Sequence, residues 1–180
     1  MNAPVRGNAR AGGAVHAIVV MGVSGCGKST VGSALADRLG WRFADGDDFH
    51  PPANVEKMRA GVPLDDTDRA PWLARLNALL RDSAAAGRPV VLACSALRQR
   101  YRDALAEGMP GLRFVHLAGS AELIGDRLAA RRHRYMPAAL EPRADALTLD
   151  VAEPVDELVE AIMAGLLSPG EGSERENRSC

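Results

Sequence analysis

Residues 22–30, GVSGCGKST, follow directly on the apolar run VHAIVVM at 15–21. From Gly22 through Val23, Ser24, Gly25, Cys26 and Gly27 to Lys28 and Ser29 they fit the pattern G-x-x-x-x-G-K-[ST] in full. Glycines at these positions let backbone N–H groups turn inward around phosphate oxygens, and the helix that follows points its positive end at them. In such a loop the lysine bridges the β- and γ-phosphates and the hydroxyl ligates Mg²⁺. The stretch therefore predicts a nucleotide held by its phosphates, with Lys28 on the reacting charge, Ser29 on the metal and Thr30 closing the cradle. Cys26 fills a tolerant position and is read as an inert small residue.

Working outward, the chain alternates apolar strands with helical spacings. Helical periodicity predicts a helix from Lys28 to Leu39, stopped by Gly40. A short strand WRFAD (41–45) follows, then a small helix at 54–60. Thr67 or Asp68 can cap a long helix with Pro71 in its first turn, closed by Gly87. PVVLAC (89–94), LRFVHL (112–117) and ALTLDV (146–151) read as further strands, and Ser95, Ser120 and Pro154 precede helices. This rhythm implies βαβ units: an α/β fold, with a five-stranded parallel sheet and helices on both faces. The phosphate loop then lies at the carboxyl edge of the first strand, where open sheets bind ligands.

The 180 residues suffice for one domain with a sizeable core, expected at 15–167. The polar ends, 1–14 and 168–180, are expected to be a disordered leader and tail. A net charge of −1 gives no global field to recruit nucleic acid or an anionic membrane, so neither is expected as a partner. Three widely spaced cysteines form no disulfide framework or metal-ligand spacing, which fits the cytoplasm.

A guanine-reading Asn/Thr-Lys-x-Asp motif is absent, which argues against a switch GTPase. A motor ATPase would carry an acid at the end of a later strand, whereas VVLAC ends in Cys-Ser. The acids near the loop are instead Asp45, Asp47 and Asp48, expected from a strand neighbouring it. Two such carboxylates suit a small-molecule kinase: one helps to hold Mg²⁺ while the other accepts the proton of the attacking hydroxyl.

Three segments make a more specific point. MGVSGCGKST, DGDDFHPPANVEKMRAGVPLDDTDRAPWL and CSALRQRYRD together closely resemble the gluconokinases, shikimate-kinase-like members of the P-loop kinases. The resemblance runs over 17–131 and resumes at 146. It implies a nucleoside-monophosphate-kinase-like P-loop fold and transfer of the γ-phosphate of ATP, with Mg²⁺, to the 6-hydroxyl of D-gluconate. It implies Asp47 on that hydroxyl and Asp45 nearer the metal, although either could take the other's role. A sugar acid also needs carboxylate receptors, and guanidinium is the better fork. Arg69 is the first candidate, Arg98, Tyr101 and Arg102 form a second group, and His50 and Lys57 are further candidates. Each has a structural alternative: Arg69 could pair with Asp65 or Asp66, and Arg98 and Arg102 could share a solvated helical face.

Kinases of this group close an arginine-bearing lid over ATP. DRLAARRHRYMP, and the segment from 131 to 145, is the place for it, and the resemblance puts Arg127 near adenine and Arg131 near the phosphates. Here MPAALEPRADALTLDV passes almost directly between two elements that the family separates by a helix, so about three helical turns are missing. The family's Gly-His before the aromatic reads His133-Arg134. A shorter loop can still close, because loop length changes the free energy little. The alternatives are a kinase for another sugar acid or polyol such as shikimate, and a nucleotide-binding regulatory protein with an impaired lid. A homodimer would fit the family.

Overall fold

The structure is a computed structural model, and it describes residues 14–130, 141 and 146–167. All but Ala14 of the expected leader, the expected tail, and all but Glu141 of the expected lid, Arg131 included, fall outside those residues.

Five strands form one parallel sheet: β1 (Ala17–Met21), β2 (Arg42–Asp45), β3 (Val90–Ala93), β4 (Leu112–Ala118) and β5 (Leu147–Asp150). Their spatial order is β2-β3-β1-β4-β5, with Val19 of β1 level with Leu92 on one side and Phe114 on the other. Each of the two central strands β1 and β3 is buried throughout, which is why both read as unbroken apolar runs.

The pleat then sorts β1 between two cores. Ala17, Val19 and Met21 face α3 (Asp66–Ala85) and α4 (Gln99–Ala106), packing with Trp72, Leu76, Leu80 and Leu105. Ile18 and Val20 face α1 (Lys28–Leu39) and α6 (Val155–Leu166), with Leu35, Leu158 and Ile162. Each fully buried aliphatic side chain contributes about 1.5–3 kcal/mol, so the two layers clamp the carboxyl end of β1 from both faces. Two shorter connections complete the described fold, α2 (Pro52–Arg59) and α5 (Ala121–Ala130).

Three local expectations are corrected. The cap of α3 is Asp65, not Thr67 or Asp68: its extended backbone lets its carboxylate accept from the Asp68 N–H at 2.8 Å. Asp68 returns the bond to the Asp65 N–H at 3.1 Å, a capping box built from two aspartates. Second, α4 begins only at Gln99, with Arg98 still extended. Third, the strand carrying Asp45 does not neighbour the phosphate loop's strand, because β3 lies between β2 and β1. No helix among the described residues is long and apolar enough to cross a membrane.

Candidate active site

The loop after β1 turns where side chains cannot follow. Gly22 has φ +154°, and a Cβ there would stand 2.7 Å from the Leu117 carbonyl oxygen of β4. The loop delivers Lys28 to the first turn of α1, where its ammonium donates to the Val23 carbonyl at 3.1 Å. Cys26 is buried, and burial pushes its thiol up, towards the protonated and unreactive form.

The acids reach the loop by leaning over the end of β3. Directly after β2, Gly46–Phe49 forms a 3-10 turn whose cap is Asp45. This acidic turn lies so close to β3 that a Cβ at Gly46 would stand 2.9 Å from the Ala93 carbonyl oxygen. Small residues at the end of β3, Ala93 and Cys94, leave the room for it. Asp45 then bridges two elements: one oxygen accepts from the Asp47 N–H at 3.1 Å, the other from the Ser29 hydroxyl at 2.6 Å.

A cavity of about 130 Å³ opens between the loop and the acidic turn. Ser24, Gly25, Gly27, Lys28, Ser29, Thr30, Asp45, Asp47, Ala93 and Cys94 line it. Asp47 is open to this space while protein crowds its carboxyl group. That desolvation, then the neighbouring Asp45 charge, raises its pKa, with Lys28 and His50 pulling the other way. Cys94 is fully buried and its thiol is pushed far up, so it offers no thiolate to a metal.

Hard oxygen donors, the Ser29 hydroxyl with the Asp45 and Asp47 carboxylates, fit a small divalent cation that keeps most of its waters and takes its other ligands from phosphate. No larger cluster of His, Cys, Asp and Glu that would form a protein cage occurs among the described residues.

Beyond the acidic turn the site continues along α2 and α3. Trp72, otherwise core, donates its indole N–H to the Gly46 carbonyl at 2.7 Å and stacks on His50, ring centroids 4.4 Å apart and planes 13° off parallel. Burial, then the Arg69 charge, lowers the His50 pKa, and Asp47 opposes them. Arg69 donates to the Leu64 carbonyl and, at 3.4 Å, to the Tyr101 hydroxyl.

Tyr101 gathers the remaining cations. Arg69, Arg98 and Arg100 place their guanidinium carbons 5.6, 5.8 and 5.5 Å from its ring centroid. Its hydroxyl donates to Asp66 at 2.5 Å, and Asp66 also meets Arg100 at 2.5 Å and Arg98 at 3.5 Å. The Tyr101 hydrogen bond is the largest influence holding the Asp66 carboxyl below its ordinary pKa, with Arg100 and Arg98 behind it. This cluster is already a carboxylate receptor, filled by the protein's own Asp66.

Two expected substrate contacts are already engaged within the protein. Arg102 is fully buried. Its guanidinium donates to the Ala96, Leu97 and Glu141 carbonyls at 2.9, 3.0 and 2.7 Å and to the Gln99 side chain at 3.0 Å. The shared face imagined for Arg98 and Arg102 never forms, because Arg98 precedes the helix. Lys57 gives its ammonium to both oxygens of Asp68, at 2.6 and 2.8 Å. Arg127 stands beside the loop: its guanidinium donates to the Val151 carbonyl at 2.9 Å and comes within 4.0 Å of where a Cβ on Gly27 would be.

Reading the residues singly missed Arg100 and Glu141, and named Asp66 only as a partner for Arg69. Glu141 caps α4 from outside, accepting the Gln99 N–H at 2.6 Å. Arg100 and Asp66 carried a signal, an arginine two residues from Arg98 and an acid at a helix start, but neither has a spacing that announces the Tyr101 cluster.

A phosphate loop on the central strand, an acid turn facing it across one cavity and a cationic cluster beyond define a P-loop phosphotransferase acting on a small acceptor. Residues 18–152 match the AAA domain family, a description that covers the nucleotide-binding core. The chain belongs to the gluconokinase family. It is 52% identical over 134 residues to the gluconokinase of Gluconobacter oxydans (strain 621H), covering 74% of this chain and 75% of that one. The crystal structure of a gluconokinase from Sinorhizobium meliloti 1021 superposes with a TM-score of 0.73 at 44% identity, covering 83% of this chain and 90% of that one. An unliganded sugar kinase from Janibacter sp. HTCC2649 gives 0.75 at 41% identity, over 83% and 93%. Membership of this P-loop kinase family implies ATP and a divalent metal.

Proposed function

We propose that this protein is an ATP-dependent gluconokinase that phosphorylates the 6-hydroxyl of D-gluconate, with Mg²⁺ as its metal. The observation that carries the reading is the meeting of Lys28, Ser29, Asp45 and Asp47 around one cavity, continued through His50 and Arg69 to the Tyr101 cluster. The gluconokinases it resembles supply the substrate.

Ser29 and Asp45 would hold Mg²⁺, which when bound neutralises phosphate charge. Backbone N–H groups of residues 22–30 wrap the phosphates, and Lys28 exchanges its contact with the Val23 carbonyl for the β- and γ-phosphate oxygens. Both oxygens of Asp45 are already engaged by Ser29 and by the turn, which suits the metal-side role. Asp47 keeps its carboxyl open to the cavity with a raised pKa, and so is the better base for the attacking hydroxyl. Transfer is in line: as the hydroxyl oxygen attacks the γ-phosphorus its proton passes to Asp47, and the bond from that phosphorus to the β–γ bridging oxygen breaks, so that ADP leaves.

At the far end, Arg69, Arg98, Arg100 and Tyr101, held together by Asp66, offer their remaining donors to the sugar-acid carboxylate. Arg102 holds the start of α4 so that Arg98 and Arg100 present themselves, and does not itself meet substrate. Arg127 steadies the nucleotide side of the loop.

The test is a coupled assay with purified protein, Mg-ATP and D-gluconate, in which NADP-linked 6-phosphogluconate dehydrogenase reports product and ADP is followed in parallel. Product matching ADP one for one is expected. ADP without product would refute gluconate as the acceptor, and a nucleotide-binding protein that forms neither would overturn the kinase reading.

A further inference from the structure

Asn54, on the same helix as Lys57, is buried, only 3% exposed. Its side-chain amine donates to the Asp68 carbonyl at 2.8 Å and lies 3.3 Å from Nδ1 of His50. A backbone carbonyl can only accept, so the group facing it is the NH₂ end of the amide. That same NH₂ meets Nδ1, which must then be the unprotonated nitrogen of the imidazole. The proton sits on Nε2. A doubly protonated ring would set N–H against N–H and lose this bond.

The ring is fixed in other ways as well. Trp72 stacks on its face, and the His50 backbone N–H ends the acidic turn by donating to the Asp47 carbonyl at 3.4 Å, which fixes where the side chain starts. His50 feels the charges of both Asp47 and Arg69, the base and the carboxylate receptor of the proposed reaction. With Nδ1 engaged, Nε2–H is the one polar edge the ring has left for a ligand.

Resting on that functional reading, we infer that His50 is a neutral, fixed-tautomer donor that reads a hydroxyl oxygen of the sugar acid through Nε2–H, and that Asn54 is the positioning residue that sets its tautomer. A donor at this place accepts no proton from the acceptor hydroxyls, so the proton of the attacking hydroxyl is left to Asp47. The same donor discriminates between acceptors by the presence of an oxygen beside the reacting carbon, because a ligand lacking it would leave a half-buried N–H unpaired.

The experiment combines imidazole ¹⁵N NMR on the unmutated protein with kinetics of two His50 variants. The spectrum is expected to show His50 protonated at Nε2 only. Glutamine carries its amide nitrogen near the place of Nε2, and asparagine near that of Nδ1. His50→Gln is therefore expected to raise the KM for gluconate less than His50→Asn, by about five- to tenfold between the two, as for one neutral hydrogen bond. The KM for ATP should match in both variants, which a merely structural role of His50 would not guarantee. Asn54→Asp, if it folds, should move the ¹⁵N signature to an Nδ1-protonated ring. An Nδ1–H tautomer in the unmutated protein, or a His50→Gln variant no better than His50→Asn, would overturn the inference. If the unmutated protein fails to phosphorylate gluconate, the functional reading falls, and the ¹⁵N spectrum still decides the tautomer.

Discussion

Replacing Gly46 by alanine tests whether the acidic turn is held against β3 for catalysis. The added Cβ would stand 2.9 Å from the Ala93 carbonyl oxygen and 3.5 Å from both the Cys94 Cβ and a Leu76 methyl. Ordinary contact begins near 3.4 Å, so something must yield by about 0.5 Å. Ala93 belongs to a strand paired on both sides, to β1 and β2, whereas the turn faces an open cavity. The turn therefore moves, carrying Asp45 and Asp47 with it. A displacement of 1 Å in reacting groups lowers rates roughly 100-fold, so half of that should lower kcat by about tenfold. Overpacking should also destabilise the fold by about 1–3 kcal/mol, or about 2–4 °C in Tm for each kcal/mol in a domain of this size. The coupled assay gives kcat and both KM values, and calorimetry gives Tm. The KM for ATP should change less than kcat, because the glycine backbone of the phosphate loop stays in place and only the Asp45–Ser29 hydrogen bond ties it to the turn. A Gly46→Ala protein with normal kcat would refute the claim that this close approach sets the acid's position.

Four other outcomes follow from the same geometry. Asp47→Asn should lower kcat by about 10²–10⁴-fold, the range for a lost general base, without lowering Tm at neutral pH. The sign comes from its raised pKa: the stability linked to Asp47 is present below its unfolded value and lost as pH rises through the folded one, and the amide removes that loss. Trp72→Phe keeps a ring against His50 but strips the donor from the Gly46 carbonyl, so it should destabilise by about 1–3 kcal/mol on denaturant titration and lower kcat with it. Arg69→Ala should chiefly raise the KM for gluconate, by about tenfold or more, with kcat changed less. For Asp68, whose carboxyl is held low first by Lys57 and then by the Asp65 N–H, stability is present above the ordinary aspartate pKa and lost as pH falls through the folded value. Lys57→Met should therefore flatten that acidic limb in thermal melts.

The order of strands along the chain was legible because parallel strands buried on both faces leave continuous apolar runs, and β1 and β3 are such runs. Their order in space was not, because periodicity reports which face a residue takes and not which strand lies beside it. That is why the acids seemed to come from a neighbouring strand. The phosphate loop was legible because each of its positions answers to a backbone or charge requirement. The cluster around Tyr101 was legible only in part: counting by four from Arg98 to Arg102 assumes a helix that has already begun, and α4 begins one residue later. Asn54 and the Trp72 N–H left no signal, since a buried polar group declares itself only through the partner it finds across the fold.

Ser29 opens α1 behind the phosphate loop and Asp45 ends β2 under the acidic turn, and one hydrogen bond of 2.6 Å joins them. Whatever draws the Ser29 oxygen towards phosphate or metal alters the anchor of the turn on which Asp47 rides. In the proposed reaction this would link the two substrates thermodynamically, and linkage is reciprocal: the factor by which nucleotide changes gluconate affinity is the factor by which gluconate changes nucleotide affinity. On the proposed reading, that one bond makes coupled rather than independent binding of the two substrates the expected behaviour.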